Sequence, residues 1–389
     1  MLTAIDPAAL TEVQRQIVDL AREFAQTRIE PHAAEWDRTK HFPRDVIAEL
    51  GRLGFLGMLA PEEYDGQGLD AVTYLLALEE IAAADAGIAV TMAIQNAIPT
   101  TMLARHGTPA QKDRWLRPMA RGDIVAGFAL SEPDAGSDAA GLRAQAVREG
   151  SGWVLNGAKA WVTNGGTADL IMAMVRTDTR AERRGAKGIS TFIVPTDTRG
   201  YRAGTPEDKM GLRASNTAAV ALEDLRLPTE ALLGEEGMGF VYAMEGLDAG
   251  RLGIAAQAVG IARRALEHAM AYCGERRQFE RPLVDFQAVQ FKLADMATRV
   301  AAARALAHQV AARKDRGEAI TQGAAMAKLF ASETAMWVTT QAVQLFGGYG
   351  YMRDYPVEKL FRDAKVTEIY EGTSEVQRIV IARGLGARA

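Results

Sequence analysis

The sequence predicts an α+β protein in which two helical regions flank a middle region of β-strands. Apolar residues recur every three or four positions near the start, short strand-like runs fill the middle third, and alanine-rich helical patterns return at residues 251–272, 286–313 and 323–346. A chain of 389 residues exceeds the usual size of one domain. We therefore expect an N-terminal α-helical domain at residues 1–122, a middle, largely antiparallel β domain at 123–231 and a C-terminal α-helical domain at 232–389.

The first third predicts amphipathic helices. An apolar stripe on one face of the first helix is formed by Leu10, Val13, Ile17, Leu20 and Phe24. Asp6 and Pro7 occupy the positions of an N-cap and a first-turn proline. Residues 70–84 predict a second, strongly apolar helix.

The middle third predicts short strands joined by tight turns. The strand-like runs are residues 124–130, 153–155, 161–163, 170–175, 191–194 and 218–222. Asn156 and Gly157 lie between the second and third runs, and both tolerate the positive φ that the central positions of a two-residue hairpin turn require. We therefore expect a hairpin that turns at these two residues.

Composition and charge exclude several classes of protein. The net charge of -4 leaves no basic footprint for nucleic acid. The single cysteine, Cys273, rules out an internal disulfide, is typical of a reducing compartment and is interpreted as a packing residue. The start shows no secretory signal, and polar residues or glycines interrupt the longest uncharged runs. We expect a cytoplasmic protein with no membrane span and no nucleic-acid partner.

The sequence lacks the usual motifs of nicotinamide, nucleoside triphosphate and zinc sites. No G-x-G-x-x-G follows a predicted strand, and G-x-x-x-x-G-K, H-E-x-x-H and C-x-x-C do not occur. The five histidines are scattered, so no metal site is expected. Catalysis must therefore use a cofactor that other residues hold.

Two segments of the middle third carry groups that can bind a cofactor. The segment FALSEPDAGSD, residues 128–138, follows a strand and contains Gly136 and Ser137, which is typical either of a phosphate-binding loop or of an ordinary turn-rich loop. Trp161 is interpreted as a core residue or, with Thr163 close by, as a contact to a flat heteroaromatic ring. The residues alone leave both alternatives open.

The most informative carboxylate is Glu371, which precedes Gly372 and lies close to the hydroxyls of Thr373 and Ser374. A carboxylate before a glycine can meet a substrate at close backbone range, as a general base acting on carbon requires. The competing interpretation is a surface carboxylate at a helix start, where the helix dipole favours a negative charge.

Six sequence blocks in a fixed order resemble the acyl-CoA dehydrogenase family. They are FALSEPDAGSD at residues 128–138, WVTNGG at 161–166, DKMGLRASNT at 208–217, ERRQFERPL at 275–283, QLFGGYGY at 344–351 and IYEGTSEVQR at 369–378. Each block is weak alone, whereas six in order are highly specific. The resemblance implies a C-terminal four-helix bundle, FAD as cofactor, and α,β-dehydrogenation of an acyl-CoA to the trans-2-enoyl-CoA.

The resemblance also implies a mechanism. Glu371 removes the α-proton while a hydride leaves the β-carbon for flavin N5, and burial under the substrate is expected to raise the pKa of Glu371. The backbone N–H of Glu371 and a ribityl hydroxyl of FAD are expected to polarise the thioester carbonyl. Some relatives carry the base at the position of Gly250, where this chain has no side chain to compete.

The remaining site residues follow from the same resemblance. The implied FAD-binding residues are Phe128, Leu130, Ser131, Gly136, Ser137, Trp161, Val162, Thr163, Arg276, Gln278, Phe279, Gln287, Gln344, Gly347, Gly348, Thr373, Ser374 and Glu375. The implied substrate-binding residues are Ser137, Asp248, Arg251, Tyr370 and Gly372. The blocks around Arg276 and Gln344 look like those that reach FAD across a subunit boundary, which implies a dimer at least and usually a homotetramer.

Two positions depart from the family pattern. Glu280 replaces a usual glycine, which predicts a changed turn near the adenine end of FAD. Asp134 brings a negative charge near the pyrophosphate unless it faces solvent.

The substrate is expected to be a short aliphatic acyl-CoA. The stretches LDAGRLGIA and KVTEIYEGTSE look most like short-chain and short branched-chain family members, and residues 88–99 contain no lysine or arginine to pair with a dicarboxylic acyl group. The family resemblance implies an electron-transferring flavoprotein as the acceptor. The alternatives are an acyl-CoA oxidase, which uses oxygen as the acceptor, and a non-catalytic flavin-binding scaffold.

Overall fold

The computed structural model describes residues 10–178 and 185–386. Helices form both the N-terminal and the C-terminal region, and a sheet domain lies between them along the chain, which confirms the predicted fold class. Within the described part of the chain, no helix combines the length and the apolar character needed to cross a membrane.

The N-terminal region is a set of short helices. In chain order they are α1 (Glu12–Phe24), α2 (Glu30–Thr39), α3 (Arg44–Arg52), α4 (Ala71–Ala84), α5 (Ala86–Gln95), α6 (Thr101–His106), α7 (Pro109–Gln111) and α8 (Arg117–Arg121), with π-helical turns at Ala25–Ile29, Asn96–Thr100 and Lys112–Leu116 and a 3-10 turn at Glu62–Tyr64. The predicted apolar helix at residues 70–84 is observed as α4, which Asp70 caps by accepting a hydrogen bond from the Thr73 N–H at 2.7 Å.

The start of α1 is set by a capping box. The Thr11 hydroxyl accepts a hydrogen bond from the Gln14 N–H, and the Gln14 side chain accepts one from the Thr11 N–H. Asp6 and Pro7, the predicted cap, lie outside the described residues. Phe24 of the predicted stripe is buried, whereas Val13 is exposed.

The middle region forms an eight-stranded sheet. Its strands are β1 (Ala126–Ala129), β2 (Gln145–Glu149), β3 (Gly152–Thr163), β4 (Leu170–Arg176), β5 (Ile189–Pro195), β6 (Tyr201–Ala203), β7 (Thr217–Pro228) and β8 (Leu232–Leu233). The spatial order is β6-β7-β3-β2-β4-β5-β8, and β1 pairs with β4. The pairing is antiparallel except that β4 runs parallel to β1 and, at Gln145 and Arg176, to β2. Further 3-10 turns lie at Ala139–Gly141 and Thr229–Ala231.

The predicted hairpin turn at Asn156-Gly157 is wrong, because β3 runs unbroken through both residues. The pair instead makes a bulge against β7, where the register shifts between Leu155 and Gly157 and Gly157 has a φ of 149°. Cross-strand bonds hold the bulge: Asn156 Nδ2 donates to Asp224 Oδ1, and the Asp224 N–H donates to Asn156 Oδ1. The hairpin turn lies earlier, between β2 and β3, where Gly150 has a φ of 59°.

Strand β4 is apolar at successive positions because both of its faces are buried. Leu170, Met172 and Met174 point into the core shared with the helices. The alternate residues 171, 173 and 175 point into a second core inside the sheet domain. The β domain is therefore fixed against the helical regions.

The C-terminal region consists of three long helices and two short ones. They are α9 (Gly239–Glu275), α10 (Gln287–Asp315), α11 (Thr321–Phe346), α12 (Val357–Lys365) and α13 (Ser374–Gly384), with 3-10 turns at Leu283–Asp285, Gly347–Tyr351 and Val366–Glu368. A hairpin of β9 (Arg277–Gln278) and β10 (Arg281–Pro282) connects α9 to α10. Helix α9 packs against α10 and α11 and also against α4 of the N-terminal region. It therefore takes part in the packing of both helical regions.

Candidate active site

Glu371 lies in the loop before α13, in a conformation that side chains rarely adopt. Its φ is 51°, and that of Gly372 is 94°. Both carboxylate oxygens are buried and have no hydrogen-bond partner among the described residues. Gly250 of α9 faces them directly, since a Cβ at that position would come within 2.1 Å of Glu371 Oε2. The glycine on α9 thus provides the space that the carboxylate occupies.

Three side chains hold the loop that carries Glu371. The Thr373 hydroxyl caps α13 by accepting a hydrogen bond from the Val376 N–H at 3.3 Å. Gln377 Nε2 donates to the carbonyl oxygens of Glu371 at 3.2 Å and Gly372 at 2.8 Å. Lys328 Nζ, on α11, donates to the same Gly372 carbonyl at 2.7 Å. Glu371 is therefore positioned by two helices as well as by its own turn.

Burial controls the electrostatics of Glu371. Loss of solvation raises its pKa to about 7, and the positive charges of Lys328 and Arg251 oppose this rise in part. A carboxyl group with a pKa near neutrality and no bound partner is suited to general-base catalysis. The competing interpretation of Glu371 as a surface carboxylate is wrong, because its oxygens are buried.

A glycine-lined face of α9 continues on both sides of the base. Gly246, Gly250 and Gly253 recur at helical spacing, so they share one face. Ile98 packs against the first, and the Tyr74 hydroxyl would lie 2.9 Å from a Cβ at the third. The Tyr74 hydroxyl is buried and has no hydrogen-bond partner among the described residues, and burial raises its pKa so that it stays neutral.

The far end of this face is closed by Gln257, which is fully buried. The Tyr370 hydroxyl donates a hydrogen bond to Gln257 Oε1, and Gln257 Nε2 donates to the Ala86 carbonyl at 2.7 Å. The hydrogen bond places Tyr370, the neighbour of Glu371 in sequence, against the Gln257 end of this face.

Asp248 and Arg251 come together on α9. Arg251 is buried, and its Nη1 donates to Asp248 Oδ1 at 2.5 Å. Asp248 Oδ2 accepts a hydrogen bond from the Thr321 hydroxyl at the start of α11. Ser137, which the family resemblance implies as a substrate-binding residue together with Asp248 and Arg251, lies on an exposed loop of the β domain.

The predicted flavin residues of the β domain lie on two adjoining segments. Phe128, Leu130 and Ser131 run from β1 into the loop, and the Ala160 N–H of β3 donates to the Ser131 carbonyl at 2.9 Å. Trp161 next to this bond is 61% exposed and has a φ of 54°. The side chain of Val162 packs into the sheet core, so it presents only its backbone to a ligand.

A buried ion pair fixes the loop to the sheet. Lys159 Nζ donates to Glu132 Oε1 at 2.7 Å, and the Glu132 carboxylate also accepts the backbone N–H groups of Arg143 and Ala144. Gly136 lies beyond this anchor, and no heavy atom comes within 4 Å of a Cβ built there. The loop therefore leaves open space at Gly136.

Both departures from the family pattern have a structural explanation. Asp134 faces solvent near Arg143 at 3.5 Å, so its charge is screened. Phe279 and Glu280 form the turn between β9 and β10, with φ values of 50° and 67°. Glycine suits such a turn because it adopts positive φ without strain, and Glu280 keeps the turn at some conformational cost.

Four of the predicted flavin residues of the C-terminal region line a cleft of about 450 Å³, and the others lie elsewhere in the same region. Arg276, Gln278, Gly347 and Gly348 line it. Gln344 lies in the last turns of α11, Gln287 begins α10, and Thr373, Ser374 and Glu375 begin α13. The Ser374 hydroxyl is buried and has no hydrogen-bond partner among the described residues. The open space at Gly136, the exposed indole and these polar groups fit FAD.

Sequence reasoning missed the supporting residues of the base. Lys328 and Tyr74 lie outside the six sequence blocks, and Gln377 lies in the block at residues 369–378 but has no assigned role there. A lone lysine in the apolar run AAMAKLFASETA is the one available signal, because lysine is seldom fully buried without a partner.

Comparison with known proteins assigns the chain to a family. Residues 11–123, 127–225 and 237–386 match the models of the N-terminal, middle and C-terminal domains of acyl-CoA dehydrogenase. The mitochondrial short-chain specific acyl-CoA dehydrogenase of Mus musculus is 46% identical over 380 residues, which cover 98% of this chain and 92% of that protein.

Solved structures agree with this assignment. Butyryl-CoA dehydrogenase from Megasphaera elsdenii superposes with a TM-score of 0.95 at 43% identity, covering 97% of this chain and 99% of that chain. A chain from a study of the electron-transferring flavoprotein of Acidaminococcus fermentans gives a TM-score of 0.95 at 47% identity, covering 98% of this chain and 99% of that chain. The protein therefore belongs to the acyl-CoA dehydrogenase family of FAD-dependent oxidoreductases.

Proposed function

We propose that the protein oxidises short aliphatic acyl-CoA thioesters to trans-2-enoyl-CoAs, with Glu371 as the base that removes the α-proton. The observation that supports this most strongly is the buried, unpartnered carboxylate facing Gly250, with a pKa raised to about 7. Such a group is roughly half ionised at pH 7 and largely ionised above it, and it is basic enough to accept a proton from carbon. Bound FAD would supply the acceptor for the hydride that leaves the β-carbon.

The α-proton of a thioester is weakly acidic, so charge must be stabilised on the carbonyl oxygen as the proton leaves. We assign this to the backbone N–H of Glu371. The carboxylate and this N–H belong to one residue, so the conformation at φ 51° orients both groups together. Asp248, Arg251 and Ser137 are assigned to the CoA thioester arm, as the sequence predicts.

The FAD site is proposed to combine two chains. Trp161 and Thr163 would contact the flavin ring, the loop at Gly136 its pyrophosphate, and the cleft at Arg276 and Gly347 would serve the FAD of a second subunit. Strongly exposed aromatic side chains near this cleft support an assembly, since Phe279 is 88% and Tyr351 86% exposed. We propose a homotetramer, which the molecular mass in solution tests.

The short acyl chain is supported by the face of α9. Gly250 and Gly253 are separated by about 4.5 Å along the helix axis, and the Tyr74 hydroxyl already lies at the second glycine. About one helical turn beyond Gly253 lies the buried Gln257, which closes this face of α9. The names of the Mus musculus and Megasphaera elsdenii relatives point the same way. An electron-transferring flavoprotein is proposed as the acceptor, in line with the related chain from Acidaminococcus fermentans.

The test is an anaerobic titration of the purified protein with butyryl-, isobutyryl-, isovaleryl- and octanoyl-CoA, followed by flavin absorbance. We expect one of the short substrates to reduce the flavin fastest, and fastest reduction by octanoyl-CoA contradicts the assigned chain length. Glu371→Gln should retain FAD and bind acyl-CoA without reducing the flavin. Normal reduction in this variant would falsify the assignment of the base.

A further inference from the structure

Lys328 is a fully buried lysine on α11 and contacts the loop that carries Glu371. Its Nζ lies 2.7 Å from the Gly372 carbonyl oxygen, and Gln377 Nε2 lies 2.8 Å from the same atom. A carbonyl oxygen has two lone pairs, so these donors together satisfy it. The peptide between Gly372 and Thr373 is therefore held from two sides, directly after two residues that both have positive φ, Glu371 and Gly372.

The charges around Lys328 come from several elements. Glu371, Glu368 and Glu375 attract its ammonium group, and Arg251 of α9 repels it. Arg251 is itself paired with Asp248. Burial lowers the pKa of Lys328 to about 8 and raises that of Glu371 to about 7, so between these pH values the lysine and the carboxylate both carry charge.

We propose that Lys328 is the positioning residue of the catalytic base: its hydrogen bond to Gly372 orients Glu371, and its charge keeps the Glu371 carboxylate ionised near neutral pH. The inference rests on the proposed role of Glu371. Arg251 acts on the carboxylate in the same direction, but its guanidinium is paired with Asp248 and, within the described part of the chain, does not donate a hydrogen bond to this loop. Of these two cations near the Glu371 carboxylate, Lys328 is thus the one that also donates a hydrogen bond to the Gly372 carbonyl of the loop.

Two substitutions separate the hydrogen bond from the charge. Lys328→Met removes both, whereas Lys328→Gln removes the charge and keeps an N–H donor. A nearby positive charge lowers the pKa of a carboxyl group, so its loss should raise the pKa of Glu371 by about one unit or more in both variants. The acid limb of kcat/KM for butyryl-CoA, which should lie near pH 7 in the wild type, then moves to higher pH.

The hydrogen bond should appear in kcat rather than in the pH profile. At a pH where Glu371 is ionised in all forms, Lys328→Met should lose roughly 10- to 100-fold in kcat because the base is misplaced, with little change in KM. Lys328→Gln keeps an N–H donor and should therefore recover most of this lost activity. Rates are expressed per bound FAD, so that partial loss of the cofactor is not counted as loss of catalysis.

An infrared titration gives a readout that does not depend on turnover. The band of a protonated carboxyl group that is absent in Glu371→Gln should persist to higher pH in both Lys328 variants than in the wild type. Lys292→Met is the matched control, because Lys292 on α10 is partly buried and donates to the neutral Gln341 side chain. This variant should leave both the pH limb and the band unchanged.

The outcomes distinguish the two proposals. Unchanged titration of Glu371 in Lys328→Gln overturns the role of the charge, and equal kcat in Lys328→Gln and Lys328→Met overturns that of the hydrogen bond. If Glu371→Gln is inactive, either of these results still leaves Glu371 assigned as the base. If Lys328→Met fails to fold, kcat and the infrared titration are compared between Lys328→Gln and the wild type alone. A Lys328→Gln protein that matches the wild type in both measurements rejects the inference.

Discussion

Gly250→Ala tests whether the space beside the base is needed for catalysis. In the middle of an exposed helix this change is stabilising by about 1 kcal/mol, because alanine has the higher helix propensity. Here the added methyl group would lie 2.1 Å from Glu371 Oε2 and 2.9 Å from its Cδ. Real Cβ contacts stay above 3.0 Å, so the oxygen must move by at least about 0.9 Å, the difference between 3.0 and 2.1 Å.

The displaced group is the end of a flexible side chain, so the fold should survive while catalysis suffers. A misplacement of about 1 Å costs roughly 100-fold in rate, which corresponds to about 2.7 kcal/mol of transition-state stabilisation. The assay is stopped-flow reduction of bound FAD by butyryl-CoA under anaerobic conditions, with thermal unfolding measured in parallel.

Gly274→Ala is the matched control, because Gly274 lies in the same helix and no heavy atom comes within 4 Å of a Cβ built there. It should reduce the flavin at the wild-type rate. A Gly250→Ala protein with wild-type reduction kinetics would refute the placement of the carboxylate against α9.

Two further predictions concern the β domain. Gly136→Val adds a side chain where the protein alone has open space. It should therefore lower the FAD content of the purified protein without lowering the melting temperature of the FAD-free protein. Full retention of FAD would show that Gly136 is not part of the cofactor site. Lys159→Met leaves the buried Glu132 carboxylate unpaired and should cost about 3–5 kcal/mol of unfolding free energy, measured by urea denaturation. Arg226→Met breaks an exposed pair with Glu149 in the same domain and should cost less than about 1 kcal/mol; similar losses in both variants would contradict the importance of burial.

The family and the order of its elements could be predicted from the sequence because six motif blocks keep their order over the whole chain. The bulge at Asn156-Gly157 could not be predicted, since these residues tolerate positive φ equally well in a turn and in a bulge. Pairing of β3 with β7 decided between the two, because Asp224 on β7 satisfies both polar ends of the Asn156 amide. That partner is distant in sequence, so no local pattern could reveal it.

The identity of the base was accessible from the sequence, whereas its environment was not. The residue types alone leave Glu371 open between a base and a surface carboxylate, and the family resemblance, with Gly250 at the alternative position, predicts it as the base. Its pKa depends on burial and on Lys328 and Arg251, which are far from it in sequence. Solvation and charge act through space, so only the packing of α9, α11 and the loop before α13 places these groups around the carboxylate and sets how readily it accepts a proton.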